Sequence, residues 1–254
     1  MRVAVMSDVH GNLVALDAVL TDVETAGGVD EVWVVGDLAA LGPQPIATLA
    51  RLDEIGAVMT RGNTDRYVAT GDRPPPHLDD ARRDPDLIGR FAEVSANFAW
   101  TQGALDGVGL TDRLRTLPLE HRVTLPDGTR VLAVHGSPGS DGGEGIHAGL
   151  SDAQLTSMLT EAATDLVFAG HTHRHLDRPV NGGRAVNLGS VSLPHDGDLR
   201  AAWSLLAADD AGYSIEHRRV SYDLTAVVDA LDAVRHPARD WLASFFRGEG
   251  SFRT

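Results

Sequence analysis

Five short blocks in this chain carry side chains that divalent metals prefer: Asp8-Val9-His10, Gly36-Asp37, Gly62-Asn63, His135-Gly136 and Gly170-His171-Thr172-His173. Carboxylate, imidazole and amide oxygen together suit manganese, iron, zinc or nickel. Asp8 and His10 stand two apart, so in extended chain both side chains point to one face. Asp37 can bridge two ions with its two oxygens, Asn63 offers a neutral carbonyl oxygen, and His135, His171 and His173 add three imidazoles. Seven ligands exceed what one transition metal takes; they suit two ions that share a carboxylate. Two ions about 3.5–4 Å apart clamp the attacking and leaving oxygens in many phosphatases and nucleases, and they lower the pKa of a bound water from about 15.7 toward about 7. The expected nucleophile is a metal-bound hydroxide, and no serine or cysteine nucleophile is required.

These blocks work as one site only if the fold gathers them. Four follow an apolar run directly (Val3 to Met6, Val32 to Val35, Val131 to Val134, Leu166 to Ala169), and the fifth follows Ala57-Val58-Met59. Such runs read as parallel strands buried on both faces, and ligand sites in α/β proteins collect at the carboxyl ends of the strands. Leu13, Leu16, Val19, Leu20 and Val23 repeat with a helical period, which predicts a helix over about 12–26 ended by Gly27-Gly28. Strand 31–35, a helix near 44–55 and strand 57–60 complete a βαβαβ unit and hence a parallel sheet. Segment 65–118 has another texture. Pro74-Pro75-Pro76 and the charged run 79–86 read as loop, followed by helices over 86–105 and 111–117. It reads as a mainly helical insertion near the rim of a single domain spanning 1–254, shaping the pocket. Pro126-Asp127-Gly128 predicts a hairpin, and Ser151 predicts the cap of a helix over 152–163. Turns at Asn181-Gly182-Gly183 and at 209–212 make the remainder mainly antiparallel, closed by helices over 223–235 and around 241–246.

A length of 254 residues with 43% hydrophobic content suits one large domain with ample core. The absence of cysteine excludes disulfides, thiolate metal sites and thiol catalysis. Met1-Arg2-Val3 runs straight into the first strand, so neither a signal peptide nor a membrane span is expected, and the cytoplasm is the expected location. A net charge of −14 opposes stable binding to nucleic-acid polymers, and it means that an anionic substrate needs local cations, which bound metals supply. The expected partner is a small phosphate ester; homo-oligomerisation stays open.

The ordered set of blocks resembles the calcineurin-like metallophosphoesterase superfamily, whose pattern runs D-x-H, G-D, G-N, H and G-H-x-H. Val186-Asn187-Leu188-Gly189-Ser190-Val191, Asp196-Gly197-Asp198 and Arg219-Val220-Ser221-Tyr222-Asp223 are similar to its small bacterial and archaeal phosphodiesterase-like branch. The resemblance covers nearly the whole chain and is weakest over 66–118. It implies an α/β fold, a four-layer α/β/β/α sandwich of two mixed sheets flanked by helices, with the site at the sheet rims. It also implies two divalent ions, manganese first among the choices: one on Asp8, His10, Asp37 and His173, the other on Asp37, Asn63, His135 and His171.

One position departs from the pattern. Many members read G-N-H-[DE], with that histidine protonating the leaving oxygen; here Thr64 stands in its place. Threonine cannot act as a general acid near neutral pH, so His147, His175, His195 and metal-bound water are the candidates. Losing such help costs about 10²–10⁴ in rate, so activated phosphodiesters are expected to turn over faster than alkyl phosphates. The residues expected at the chemistry are Asp37, His135 and His195. The expected substrate contacts are Asn63, His147 and Asn12, the last at a helix start where backbone N–H groups can meet phosphate. Arg61 is expected in a salt bridge, and His77, His121, His217 and His236 on the surface. Two rival functions remain: a nucleotide or dinucleoside-polyphosphate hydrolase stacking a base on Tyr67 or Trp100, and a non-catalytic interaction scaffold, against which every filled ligand position counts.

Overall fold

Alternation within the first strand sets the layers of the molecule. In β1 (Arg2–Met6), Val3 and Val5 face one core while Ala4 and Met6 face another. The structure, a computed structural model, describes residues 1–250. Helix α1 (Leu13–Thr25), capped by Asn12, carries the chain to β2 (Glu31–Val35), and α2 (Pro45–Glu54) carries it to β3 (Val58–Thr60), both strands parallel to their neighbour. The insertion follows as α3 (Asn63–Thr70), α4 (Leu78–Arg83), a 3₁₀ turn at Pro85–Leu87, α5 (Ile88–Asp106) and α6 (Thr111–Thr116). A second sheet is then built from β4 (Glu120–Thr124), β5 (Arg130–Val134), β6 (Leu166–Ala169), β7 (Leu176–Val180) and β8 (Gly183–Asn187), with α7 (Asp152–Glu161) between β5 and β6. The hairpin of β9 (Ala201–Asp209) and β10 (Gly212–Val220) precedes α8 (Leu224–Ala233) and α9 (Arg239–Phe246).

The sheets run β10-β9-β1-β2-β3 and β4-β5-β6-β8-β7. Val3, Val5, Trp33 and Val35 of the first meet Val131, Ala133, Phe168 and Val186 of the second in a shared core. Ala4, Met6, Val32 and Val34 turn the opposite way onto α1 and α2 through Leu16, Val19, Leu49 and Leu52. On the far side Leu132, Val134 and Val167 pack on Leu155 and Leu159 of α7. The expected four-layer sandwich of two mixed sheets is therefore the observed one.

Three sequence expectations are corrected. The chain does not divide into a parallel first half and an antiparallel second half. Strand β9 crosses back to lie antiparallel to β1, and β5, β6 and β8 form a parallel centre in the second sheet. Strand direction follows spatial neighbours, which local pattern does not encode. The charged run 79–86 is not loop but largely α4: Asp79 and Asp80 sit in its first turn and Arg82 and Arg83 in its last. Those charges complement the helix dipole and pair at i,i+3 (Arg82–Asp79, Arg83–Asp80). Helix α3 begins at Asn63 itself, inside what reads as the edge of the insertion.

The insertion shares the main core, because Val94, Phe98, Leu105 and Leu114 join the cluster that holds Leu16 and Leu49. Trp241, Leu242, Phe245 and Phe246 of α9 close the same core. Among the described residues no helix is long and apolar enough to cross a membrane.

Candidate metal centre

The parallel strands of both sheets end on one rim, and each delivers its block there: Asp8 and His10 after β1, Asp37 after β2, Asn63 after β3, His135 after β5, His171 and His173 after β6. Backbone bonds stitch these ends together, including Asp8 N–H to Gly36 O (3.1 Å), His10 N–H to Asp37 O (2.9 Å) and Gly170 N–H to His135 O (2.9 Å). Asp8 and His10 do not reach the rim by strand alternation, as expected from their spacing. Both are left-handed, with φ of 58° and 51°, and so are Asp37, His171 and His173. Among the described residues, eight non-glycine residues have positive φ and five of them are these. Strain of this kind concentrates where the surrounding structure must aim a functional side chain.

The glycines of the blocks answer to crowding. A Cβ on Gly170 would overlap Ser7 Oγ and Asp8 Oδ2, and one on Gly62 would overlap the Asp37 carboxylate and amide. The loops can approach only because these two positions lack side chains.

Hydrogen bonds fix which ring nitrogen points inward. Nδ1 of His10 faces Ala40 O (2.9 Å), Nδ1 of His135 faces Val35 O (2.8 Å) and Nδ1 of His173 faces Leu193 O (2.6 Å). A carbonyl only accepts, so each Nδ1 carries a proton, and each ring in its neutral form turns an Nε2 lone pair to the centre. His10 Nε2 and His173 Nε2 then confront each other at 3.2 Å. His171 donates from Nε2 to Gly143 O (2.9 Å), so its Nδ1 lone pair meets Asn63 Oδ1 at 2.8 Å, and His135 Nε2 meets the same oxygen at 3.1 Å. Asp8 Oδ1, fully buried, accepts no hydrogen bond of good geometry although His173 Nε2 lies 3.0 Å away. Lone pairs facing lone pairs at these distances need a proton or a cation between them.

Atoms of Asp8, His10, Asp37 and His173 lie within 4.8 Å of one another, all four residues buried, so the donor set fits a divalent metal. A second group surrounds Asn63: His135, His171 and, 3.3 Å from His135 Nε2, Asp37 Oδ2. Asp37 stands between the two groups. Oδ1 accepts the Thr64 N–H (2.9 Å), while Oδ2 lies 3.8 Å from His10 Nε2.

Residues 1–209 match the calcineurin-like phosphoesterase superfamily domain. The chain belongs to this superfamily. A metallophosphoesterase from Sphaerobacter thermophilus is 26% identical, with 98% of this chain and 99% of that one covered and a TM-score of 0.72. A hypothetical protein from Pyrococcus horikoshii shares the fold at a TM-score of 0.78, with 20% identity over 95% and 97% of the two chains. An uncharacterized protein of Methanocaldococcus jannaschii is 24% identical, with 94% of this chain and 95% of the relative covered. Superfamily membership and the buried Asp/His cluster together support a phosphoester hydrolase that binds divalent metal.

The electrostatics of the cluster follow from burial opposed by ion pairing. Burial alone raises a carboxyl pKa, but His173 and His135 hold Asp8 well below its ordinary range. Asp37 falls to about 2, burial being outweighed by His135 and His10. His135 rises to about 10 because Asp37 and Asp8 outweigh its burial.

Asn12 is fully buried; its Oδ1 caps α1 at Ala15 N–H and its Nδ2 donates to Ser192 Oγ. His147 does not line the cavity over the centre, and its Nδ1 accepts from Gly149 N–H. His195 also stays outside that lining. Burial and then His173 push it down to about 3, and its ring centroid lies 4.7 Å from that of His173. Arg61 pairs with Asp141 at 3.0 Å. Of the four histidines expected on the surface, His77 is exposed. His121 packs edge-on to Trp33, His217 bonds Asp177 at 2.6 Å, and His236 is buried beside Trp100.

Sequence reading passed over Asp65. Its carboxylate accepts N–H bonds from Asp37, Leu38 and Gly62, all at 2.9 Å, tying the Asp37 loop to the start of α3. Burial and the Asp37 charge push it up to about 7. The available signal was an acidic residue three positions after Gly62, a helix-capping spacing. Asn187 was passed over likewise: its Nδ2 donates to Gly170 O (2.6 Å) and Ile146 O (2.9 Å), anchoring the His171 loop.

Proposed function

We propose that this protein is a binuclear metal-dependent phosphoesterase that hydrolyses phosphodiesters or activated phosphate esters. The confrontation of ring-nitrogen and carboxylate lone pairs across the rim carries this reading, because it recurs in two adjacent groups that share Asp37. Asp8, His10, Asp37 and His173 would hold one ion, and Asp37, Asn63, His135 and His171 the other, manganese being the leading choice. Two divalent ions supply a polarised phosphoryl group and a water acidified toward neutral pH.

The chain's own residues do the remaining work. Backbone carbonyls at Ala40, Val35 and Leu193 keep three imidazoles in the ligating tautomer. Gly143 O orients His171, and the Thr64 N–H holds the Asp37 carboxylate through Oδ1. Thr64 lines the cavity where a proton donor would stand, and neither His147 nor His195 lines it. Leaving groups that depart without protonation are therefore favoured, which supports activated diesters over alkyl esters. Trp100 packs against His236 away from the cavity, which removes one of the two expected base-stacking rings.

The test is hydrolysis of bis-(p-nitrophenyl) phosphate by protein loaded with manganese. Asp37→Ala and His135→Ala should each lower kcat/KM by at least about 10³, and retained activity in both would overturn the assignment.

A further inference from the structure

The cavity over the metal centre is larger than a phosphate needs, and its far end has a different chemistry. It encloses about 430 Å³, within the usual range for small-molecule sites. The near end is polar: His10, Asp37, Asn63, His171 and His173. The far end is the remaining, mainly apolar part of the lining: Leu41, Tyr67, Val94, Phe98, Trp241 and Pro74 to Pro76. Tyr67 and Phe98 meet edge to face, with ring centroids 5.6 Å apart, so the wall is rigid and aromatic. Among the described residues Arg90 is the sole Lys or Arg side chain in the lining, and its guanidinium lies over the Trp241 ring at 4.2 Å, backing that wall. Apart from the Tyr67 hydroxyl, the Arg90 guanidinium and the Trp241 indole, the side chains of the far end offer no hydrogen-bonding group.

We infer that the far end seats a hydrocarbon group of the substrate, so that the preferred ester carries an aryl or comparably bulky apolar substituent on the phosphorus-bound oxygen. This rests on the phosphoesterase reading of the centre and adds the class of substituent. Burying apolar surface against such a wall favours binding in proportion to area. A nucleobase would fit poorly, because its donors and acceptors would enter an apolar wall with few partners, and unpaired polar groups are strongly rejected from such sites. Tyr67 and Trp241 are the specificity-determining residues: one arrives from α3, directly beyond the ligand Asn63, and the other from α9.

Calorimetric titration of manganese-loaded protein with non-hydrolysable phosphonates tests this without relying on turnover. The series is methylphosphonate, butylphosphonate and benzylphosphonate, with a nucleoside 5′-methylenephosphonate as comparator. The Kd should fall along the series, by at least tenfold from methyl to benzyl. Tyr67→Ser, and independently Trp241→Leu, should cut the benzyl-to-methyl ratio at least threefold. The wild-type series decides the matter even if a variant fails to fold. A flat or inverted series, tighter binding of the nucleoside analogue than of benzylphosphonate, or no binding of any probe at millimolar concentration overturns the inference. A flat series in a protein that still hydrolyses diesters removes only the apolar seat. A clear gradient in a protein that turns nothing over removes the hydrolase reading and leaves the seat.

Discussion

At the scale of single residues, the centre is a set of lone pairs arranged against their own electrostatics. Five ligands adopt left-handed backbone, and three imidazoles are locked by carbonyls so that their Nε2 atoms converge. The types and order of these residues are readable from the chain alone, because ligand chemistry belongs to the side chain. Their backbone conformation is not: Asp8 and His10 look like an alternating strand pair but are aimed by positive φ that neighbouring loops impose. The raised pKa of His135, about 10 against an ordinary 6.5, has a direct consequence. At pH 7.5 the cation-free ring is protonated, and coordination requires that proton to leave. Manganese binding at this pH should release at least about one proton, measurable by calorimetry in buffers of different ionisation enthalpy; a buffer-independent heat would contradict it.

At the scale of elements, α3 is the part that joins the groups. It starts at Asn63, its second residue binds Asp37 through a backbone N–H, and its Asp65 side chain gathers three amides from two loops. Arg61 and Arg66, flanking the helix start, both pair with Asp141 in the Gly-rich loop that supplies Gly143 O to His171. Asp65→Asn replaces an acceptor by a donor that faces amide N–H groups. Groups that orient ligands typically control metal affinity by 10–100-fold when lost. We expect Asp65→Asn to weaken manganese binding by about tenfold or more while leaving the far-ultraviolet circular dichroism native. Unchanged affinity would show that α3 is held by packing alone. The helix escaped the sequence reading because its first turn coincides with the ligand block, where Gly62 and Asn63 look like loop.

At the scale of the whole molecule, two sheets carry ligands to one rim, so metal and fold stability are linked. In the cation-free protein the His135 contribution is fully present below its ordinary pKa of 6.5 and is lost as pH rises through about 10, because the folded value is raised. The Asp37 contribution runs the other way: it is present above 3.8 and lost as pH falls through about 2. Chelated protein should therefore lose Tm as pH rises from 6.5 toward 10, and manganese should flatten that decline by replacing the proton. At 100 times its Kd the metal adds roughly 2.7 kcal/mol, which corresponds to about 5–10 °C in a chain of this size. Scanning calorimetry with and without chelator across this range checks both the sign and the size.

From its residues alone, this chain specified its candidate ligands, the strand ends that bear them, the superfamily and the four-layer architecture, since each depends on side-chain identity or on local apolar period. Tertiary contact decided the rest. It returned β9 to lie beside β1, set the Thr64 N–H on Asp37 Oδ1, and made Asn12 the buried cap of α1. It also assembled an apolar chamber from Leu41, Phe98 and Trp241. Those outcomes depend on which distant segments share a surface, a quantity set by the burial and hydrogen bonding of the folded whole.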